Sequence, residues 1–279
     1  MLGRSERESP AHAVLAARMA GWNDAVELLD LGTTADTLAT VANIEGLAAV
    51  VHLGHPEHPA PGLERALLEG ASSLIVTGAV AVPGQWVWVG AGATVGQVVI
   101  DEAGMRDCAG VLRGLGVSPR LVPTRAPVEE RIALAGEGGS LVIERSRVPA
   151  GFAELPDSAA LAEGGPVWYG LLESRDAWPV FTRPAQVWLA FGPADEHLGS
   201  LQPTLAVIAD AGLDLDHLRS QPSSAGPHVF FSSFSCPTSD TLSNLVDALT
   251  ERGVEHRTLA VLPGEAFVPG PDAVTPRWA

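Results

Sequence analysis

The fold is decided by residues 95–145, which read VGQVVIDEAGMRDCAGVLRGLGVSPRLVPTRAPVEERIALAGEGGSLVIER. Short apolar runs alternate there with segments whose apolar residues recur at helical spacing, as Met105, Cys108 and Leu112 do. The pattern predicts strands at VGQVVI, RLVPT and SLVIER, with a helix in each interval. A β-α-β-α-β order is typical of a mostly parallel sheet that is covered by helices.

The N-terminal part repeats this alternation. Ser9 and Pro10 are typical of a helix start, since serine caps the first turn and proline has no amide hydrogen to leave unpaired. Thr33 and Asp36 have capping-box spacing at the start of a second helix, and AVELLDL and GLAAVVHLG on either side of it predict strands. We therefore expect another α/β lobe before residues 95–145.

The C-terminal part follows a different order. Val187, Leu189 and Phe191 alternate as in a strand, and residues 201–212 follow with helical spacing up to a glycine. Two further strands, a helix and a closing strand complete a β-α-β-β-α-β arrangement. This order predicts a ferredoxin-like domain, in which two helices cover one face of an antiparallel sheet.

With 279 residues, the chain is about twice the usual domain length, so we expect more than one core. The stretch 149–166 is rich in proline, glycine and alanine and predicts an irregular connection. We expect the following division: residues 1–78 and 168–184 as a first lobe, 79–167 as a second lobe, 185–265 as the C-terminal domain, and 266–279 as a loose tail.

The composition excludes several classes of function. All 17 basic residues are arginine, which excludes a Schiff-base lysine and a phosphate-loop lysine. The net charge of −16 argues against nucleic acid or an anionic membrane as a partner. No apolar run approaches the ~20 residues of a membrane-spanning helix, no signal-peptide pattern is present, and Cys108 and Cys236 have no disulfide or metal spacing. We expect a cytoplasmic protein.

The C-terminal segment carries a family resemblance. HLGSLQPTLAVIADAGLDLDHLRSQP, followed by HVFFSSF, resembles the phenylalanine-sensing ACT domains of prephenate dehydratases. The resemblance implies that an amino-acid effector binds at the turn that opens the first helix and at a motif on the second strand. The corresponding residues are Gly199, Ser200, Leu201, Arg219, Ser220, Gln221 and Pro222.

The preceding part of the chain resembles the catalytic region of the same family, which has two lobes like the type II periplasmic binding proteins. The clearest similarity begins at the helix around Met105 and continues through residues 121–152. The implied fold class is α/β, with a two-lobed periplasmic-binding-protein-like region followed by a ferredoxin-like βαββαβ ACT domain.

Thr182 and Arg183 match two of the three residues of the family's Thr-Arg-Phe motif and are the catalytic residues that the resemblance implies. A threonine hydroxyl can donate to a departing hydroxyl, and the guanidinium fork suits a carboxylate. Ser9 falls where the family has a serine and is a candidate substrate-binding residue. We expect a returning strand to point Thr182 and Arg183 into the crevice between the lobes. The resemblance implies neither a metal nor a cofactor.

Three family motifs are changed in this chain. HLGHPEHP replaces Ile-Glu-Asn-Ser, residues 100–103 (IDEA) replace Ser-His-Pro-Gln, and Gln221 replaces an arginine. The first two changes remove polar groups that the family places around its substrate, and the third alters the effector motif of the C-terminal domain.

Several other polar residues permit a functional interpretation. His52, His55 and His58 recur at every third position, which suits either a metal site or a general acid, and the proline-broken loop favours the latter. Arg18 and Arg125 are candidates for binding a carboxylate, although solvated surface positions explain them equally well. The glycine pairs lack the context of a dinucleotide site.

Three hypotheses follow. The first is a lyase that converts prephenate to phenylpyruvate in phenylalanine biosynthesis, senses phenylalanine, and forms a homodimer or tetramer through its ACT domain. The second is a diverged enzyme that decarboxylates prephenate without forming the aromatic ring. The third is a non-catalytic sensor of an aromatic amino acid.

Overall fold

The computed structural model describes residues 1–24, 27–55, 60–92, 96–162, 165–192, 197, 199–223 and 228–264. The strands of this part are β1 (Leu2–Arg4), β2 (Leu29–Asp30), β3 (Ala48–Gly54), β4 (Leu74–Val82), β5 (Trp86–Gly90), β6 (Val98–Asp101), β7 (Arg120–Val122), β8 (Ser140–Glu144), β9 (Ala153–Glu154), β10 (Val167–Ser174), β11 (Ala185–Gly192), β12 (Leu215–Gln221), β13 (Val229–Cys236) and β14 (Glu255–Pro263). Its α-helices are α1 (Pro10–Met19), α2 (Thr34–Asn43), α3 (Pro61–Glu69), α4 (Glu102–Gly114), α5 (Val128–Ala135), α6 (Ser158–Ala162), α7 (Leu201–Asp210) and α8 (Ser239–Glu251). None of these helices has the length and apolar content needed to cross a bilayer.

The strands form two sheets. The larger has the order β12-β13-β11-β14-β4-β10-β3-β1-β2, and the smaller has the order β7-β6-β8-β5-β9. In the larger sheet β1 is parallel to β2 and β3, whereas β10 is antiparallel to β3 and β4. Strand β14 joins β4 in parallel through Ala260 and Val76. The first lobe and the C-terminal domain therefore share one sheet.

The expected fold class is confirmed. Residues 95–145 contain β6, α4, β7, α5 and β8, and β6 pairs in parallel with both β7 and β8. The C-terminal domain has the order β11-α7-β12-β13-α8-β14, and apolar residues of α7 and α8 pack on one face of its sheet. The caps predicted at Ser9 and Thr33 are also present, the second as a capping box with Asp36.

The other face of the C-terminal sheet packs against the first lobe. Leu63 and Leu67 of α3 belong to the same buried cluster as Trp188, Phe231 and Leu262 of the C-terminal strands. A common core of this kind makes the burial of α3 depend on both parts of the chain.

The chain passes from the first lobe to the second between β4 and β5. The division expected after residue 78 falls within β4, which stays in the larger sheet as far as Val82. We therefore propose that the chain first crosses from one lobe to the other at residues 83–85. The tail expected at 266–279 lies outside the described residues.

The prediction of an irregular connection at 149–166 was wrong. This stretch contains β9 and α6, and Leu155 and Leu161 are buried in the core of the second lobe. The amide of Trp88 also donates to the Ser158 hydroxyl, at 3.0 Å. Two buried leucines and one tertiary hydrogen bond to Ser158 outweigh a local composition that favours loops.

The strand expected to return through residues 182 and 183 is also absent from the described structure. Strand β10 ends at Ser174, and residues 182–183 form a bend between prolines 179 and 184. Proline cannot donate to a strand ladder, so it disfavours a central strand here. The segment is fixed by Phe181, whose side chain is buried and whose amide donates to the Ser239 hydroxyl at 2.6 Å. Of the strand expected at AVELLDL, only β2 forms within the described residues.

Candidate functional site

The two lobes meet where β1, β3 and the start of α1 face α4 and the end of β8. The carboxyl ends of β1 and β3 lie at this edge of the larger sheet, which is the position where open α/β sheets usually bind ligands. Side chains from both lobes form hydrogen bonds and ion pairs across the junction. The most exposed of these joins Arg125 to Glu6 at 3.1 Å, so the predicted carboxylate partner Arg125 already has a partner in the protein.

Arg106 on α4 is at the centre of one group of polar side chains. Its Nη1 donates to Glu8 Oε2 of the first lobe at 3.1 Å, and its Nε donates to Asp107 Oδ1 at 3.0 Å. The indole of Trp86 donates to the other oxygen of Asp107, also at 3.0 Å. Although burial lowers the pKa of Arg106, the neighbouring carboxylates outweigh that effect and raise it. The guanidinium is therefore permanently charged.

His52 lies beside this group. The amide of Gly54 donates to His52 Nδ1 at 3.2 Å, so the neutral ring carries its hydrogen on Nε2. That nitrogen is 3.6 Å from Asp107 Oδ1. Burial lowers the pKa of His52 well below its ordinary value, and the charge of Arg106 lowers it further. The lowered pKa favours the neutral ring at this position, and the general acid predicted among the histidines stays a prediction.

Of the other two predicted histidines, His55 packs edge-on against Trp168 at 5.7 Å between ring centroids. His58 lies outside the described residues. The described residues contain no group of three side chains that could hold a metal ion.

A second group of polar side chains is completely buried. The Ser9 hydroxyl donates to Glu144 Oε1 at 2.5 Å and lies 2.7 Å from His12 Nδ1. His12 Nε2 accepts the amide hydrogen of Gln85 at 3.0 Å, so Nδ1 carries the ring hydrogen and donates it to Ser9. Burial lowers the pKa of His12, which keeps the ring neutral. Glu144 also accepts from Arg147, at 3.0 Å.

This arrangement differs from a hydrolase triad. In such a triad the imidazole lies between the serine and the carboxylate and removes the serine proton. Here Ser9 lies between His12 and Glu144, His12 donates to it, and its side chain is inaccessible to solvent. The group therefore fixes α1 of the first lobe to β8 of the second lobe and does not supply a nucleophile.

Two buried hydroxyl groups at the junction have no hydrogen-bond partner among the described residues. They belong to Ser5, which follows β1, and to Tyr169, which is on β10. The Tyr169 ring packs edge-on against His52 at 5.8 Å, and burial raises the pKa of its phenol well above the ordinary value. Buried polar groups are nearly always paired, so an unpaired group marks a place for water or a ligand.

A cavity of about 760 Å³ opens from this junction and continues between α2 and α3. Ser5, Glu8, His52 and Arg106 line its polar end, together with Arg7. Within the part of the chain that the structure describes, Arg7 forms neither an ion pair nor a side-chain hydrogen bond. The Arg7 side chain is exposed, and it lines the same cavity as the unpaired Ser5 hydroxyl. A guanidinium of this kind can bind the carboxylate of a small molecule.

Thr182 and Arg183 are not at this cavity. Both side chains are exposed, and neither lines the cavity between α2 and α3. Arg183 lies beside Gly264 at the end of β14, in the C-terminal domain. The expectation that this pair points into the crevice is therefore not met, and its catalytic role stays a prediction.

The predicted effector residues lie on two elements. Gly199, Ser200 and Leu201 form the turn that opens α7, where Gly199 has a φ of +91°, a conformation that favours glycine. The other four occupy the end of β12, where Ser220 and Pro222 are exposed. Both remaining side chains, Arg219 and Gln221, contact Glu64 on α3 of the first lobe.

The changed motif at residues 100–103 has a structural role. Asp101 caps α4 by accepting from the amide of Gly104 at 2.7 Å, and it forms a buried ion pair with Arg131, also at 2.7 Å. Burial raises the pKa of Asp101, and Arg131 opposes that shift. These side chains stabilise the second lobe and do not face the cavity.

Sequence reasoning missed most of the junction residues. Arg106, Asp107, Glu144 and Tyr169 carry no local motif, and their partners in the other lobe are distant in sequence, as Ser9 and Glu144 are. One available signal was His12, three residues after the cap Ser9 and therefore on the same side of the helix start.

No family model matches the chain, and no curated protein matches it in sequence. Solved structures do match. A prephenate dehydratase from Arthrobacter aurescens in complex with L-Phe has 16% identity and a TM-score of 0.71, and the alignment covers 94% of this chain and 90% of that one. A prephenate dehydratase from Staphylococcus aureus has 11% identity and a TM-score of 0.61, with 94% and 100% covered.

The fold is that of prephenate dehydratases. At these identities the likeness extends to the fold and not to the reaction. A protein described as GqqA, a novel type of quorum quenching acylase, shares it too, with 16% identity, a TM-score of 0.61, and 95% and 98% of the two chains covered. Proteins described with different activities thus share one fold, so the function of this chain has to be inferred from its site.

Proposed function

We propose that this chain is a lyase of the prephenate dehydratase type that binds its substrate in the cavity at the lobe junction. The observation that carries the proposal is the polar end of that cavity, where Arg7 has no ion-pair partner and the Ser5 hydroxyl has no hydrogen-bond partner among the described residues. Prephenate has two carboxylates and a ring hydroxyl. A guanidinium and a hydroxyl donor are the groups that such a molecule requires.

Arg7 is the principal candidate for binding a carboxylate. Arg106 is charged as well, but Glu8 and Asp107 give that group of three a net charge of −1 when both carboxylates are ionised. The group therefore attracts an anion less than a free arginine does. Arg106 nevertheless has Nη2 outside both ion pairs, so it can donate a hydrogen bond to the substrate.

Ser5 is the candidate donor for the leaving hydroxyl. Loss of carbon dioxide from the ring supplies the electron pair that expels this hydroxyl, and a hydrogen bond to the departing oxygen lowers the barrier. Ser5 lines the cavity, whereas Thr182, the residue implied by the family resemblance, is exposed outside it.

Incubation of the purified protein with prephenate, followed by measurement of phenylpyruvate absorbance, tests the proposal. We expect turnover by the wild type and a loss of about 10- to 100-fold in kcat/KM for Arg7→Gln, in line with the loss of a charged hydrogen bond. Arg113→Gln is the matched control, because Arg113 is exposed in the last turn of α4 and does not line the cavity. Absence of product at high protein concentration contradicts the proposal.

The position of Thr182 favours one alternative reaction, the decarboxylation of prephenate without formation of the aromatic ring. A site that lacks an effective donor for the leaving hydroxyl retains this group and protonates a ring carbon instead. Mass spectrometry of the product distinguishes the two reactions, since only the alternative product retains the ring hydroxyl.

The Arthrobacter aurescens protein was solved in complex with L-Phe, which supports binding of an aromatic amino acid by this chain, and we propose the C-terminal domain as the place. In this chain Arg219 and Gln221 already contact Glu64, so a free amino acid has to compete with that side chain. Assembly into a dimer or tetramer through this domain stays a prediction.

A further inference from the structure

Glu64 is a completely buried carboxylate at the boundary between the first lobe and the C-terminal domain. Gln221 Nε2 donates to its Oε1 at 2.7 Å, and the Arg219 guanidinium forms an ion pair with its Oε2. The second carboxylate of α3 belongs to Glu69, at the end of the helix. It is exposed and pairs with Arg65, one helical turn earlier. Helix α3 thus directs one of its two acids into the C-terminal domain.

The groups that hold Glu64 form a recognisable carboxylate site. Arg219 and Gln221 are two residues apart on β12, so their side chains point to the same face of the strand. The Arg219 guanidinium also lies over the ring of Phe231, 5.7 Å from its centroid. A guanidinium and an amide suit the carboxylate of a small molecule as well as they suit Glu64, and the Phe231 ring holds the guanidinium in place.

We propose that Glu64 is an internal ligand that occupies the carboxylate site of Arg219 and Gln221 and thereby closes it to free amino acids. A buried carboxylate requires a cation and hydrogen-bond donors, and these two side chains supply both from the other domain. The Arg219 side chain is partly exposed, so a free amino acid can approach it but has to compete with Glu64 for the guanidinium.

The contact has a consequence for the cavity of the first lobe. Helix α3 carries Glu64 toward β12, and it also carries Gly62, Leu63 and Ala66, which line the cavity between α2 and α3. The Glu64 contact therefore supports one wall of that cavity from the C-terminal domain. In this chain β12 acts as a fixed support and not as an open receptor.

Calorimetric titration of L-phenylalanine into the full chain tests this inference without any substrate, so its outcome is independent of the proposed lyase reaction. We compare the wild type with Glu64→Gln, which retains the shape and the hydrogen bond to Gln221 but removes the charge. We expect at least about tenfold tighter binding by Glu64→Gln, since its guanidinium has lost its internal anion. Glu69→Gln is the control, because it removes a carboxylate from α3 without changing the contact with Arg219.

Phenethylamine, which lacks the carboxylate, is the control ligand, and we expect no gain for it in Glu64→Gln. Equal affinity of the wild type and Glu64→Gln for phenylalanine overturns the inference, as does an equal gain for phenethylamine or no binding by Glu64→Gln. Unfolding of Glu64→Gln, Arg219→Met and the double variant provides a second measurement. We expect the two decreases in Tm to be far from additive, and additive decreases contradict a direct contact.

Discussion

At the residue scale, the lobe junction depends on imidazoles that are held neutral. His12 accepts from Gln85, donates to Ser9 and stacks on Trp86 with 5.2 Å between ring centroids. A proton added to Nε2 would oppose the amide hydrogen of Gln85, and burial already disfavours the charge. His52 is similarly buried, close to the charge of Arg106.

Stability should therefore fall as the pH falls below the ordinary histidine pKa of about 6.5. Both folded-state pKa values are lowered, so below this pH the unfolded chain binds protons that the folded chain does not bind. Each histidine decreases the free energy of unfolding by up to about 1.4 kcal/mol per pH unit until its folded-state pKa is reached. Urea unfolding between about pH 7.5 and 5.5 measures this slope.

The matched variant for this measurement is His12→Gln combined with His52→Gln. Glutamine does not titrate, and its amide can still donate and accept hydrogen bonds at both positions. We expect a smaller slope for the double variant over the same pH range. An unchanged slope would assign the pH dependence to other groups and contradict the role given to these two histidines.

Local residue patterns predicted only one side of this junction. The cap at Ser9 followed from Ser-Pro at a helix start, because capping depends on neighbours in sequence. Its partner Glu144 is 135 positions away, and Arg106 is 98 positions away from its partner Glu8 in the first lobe. Only the packing of the two lobes brings these groups together, so no local motif identifies them.

At the scale of elements, the start of α4 is fixed by the buried pair of Asp101 and Arg131. Arg131 also donates to the carbonyl oxygens of Ala126 at 3.0 Å and Thr124 at 2.7 Å, so its guanidinium holds the loop before α5 as well as Asp101. Removal of one partner of such a pair decreases the free energy of unfolding more than removal of both, because a lone buried charge is the costly state.

Arg131→Met should therefore decrease the free energy of unfolding by about 3–5 kcal/mol, since it leaves the Asp101 carboxylate buried without a cation. The double variant with Asp101→Asn should be more stable than Arg131→Met alone, because asparagine also caps a helix and is uncharged. Urea unfolding of Arg131→Met, of Asp101→Asn and of the double variant measures the coupling. A double variant less stable than Arg131→Met would contradict this account.

The predictions that failed at this scale concern elements whose stability comes from tertiary contacts. Helix α6 has only five residues and forms in a segment of loop-like composition, because Leu161 is buried and the Ser158 hydroxyl binds the amide of Trp88. The bend at residues 182–183 is held by contacts of Phe181 with α8. A sequence pattern reports local preference, whereas these elements depend on distant partners.

At the scale of the whole molecule, the C-terminal domain is continuous with the first lobe. The two share a nine-stranded sheet through β14 and β4, and Arg257 of β14 donates to the carbonyl oxygens of Gly70 and Leu74 at 3.0 and 3.2 Å. Periodicity predicted the order of elements in each part correctly. It did not predict that the first lobe and the C-terminal domain share a sheet, because β14 pairs with β4 through one residue in each strand, Ala260 and Val76.

A fragment of residues 1–184 should therefore fail to fold cooperatively. It lacks β11, β13 and β14, which cover Leu63 and Leu67 of α3. The exposed apolar surface should bind a hydrophobic dye. The near-ultraviolet circular dichroism of the fragment should be lost, because its side chains are no longer packed in fixed positions. A fragment of residues 1–264 is the control, because it retains all the described strands and helices. Cooperative unfolding of the 1–184 fragment with a native spectrum would contradict the shared core.

The cavity at the lobe junction is the proposed substrate site. Hydrogen–deuterium exchange of the full chain with and without saturating prephenate tests it most directly. We predict slower exchange at residues 5–8, at the start of α4 and along α2 and α3, with no change at residues 181–184. Protection confined to residues 181–184, or no protection anywhere, would contradict the account.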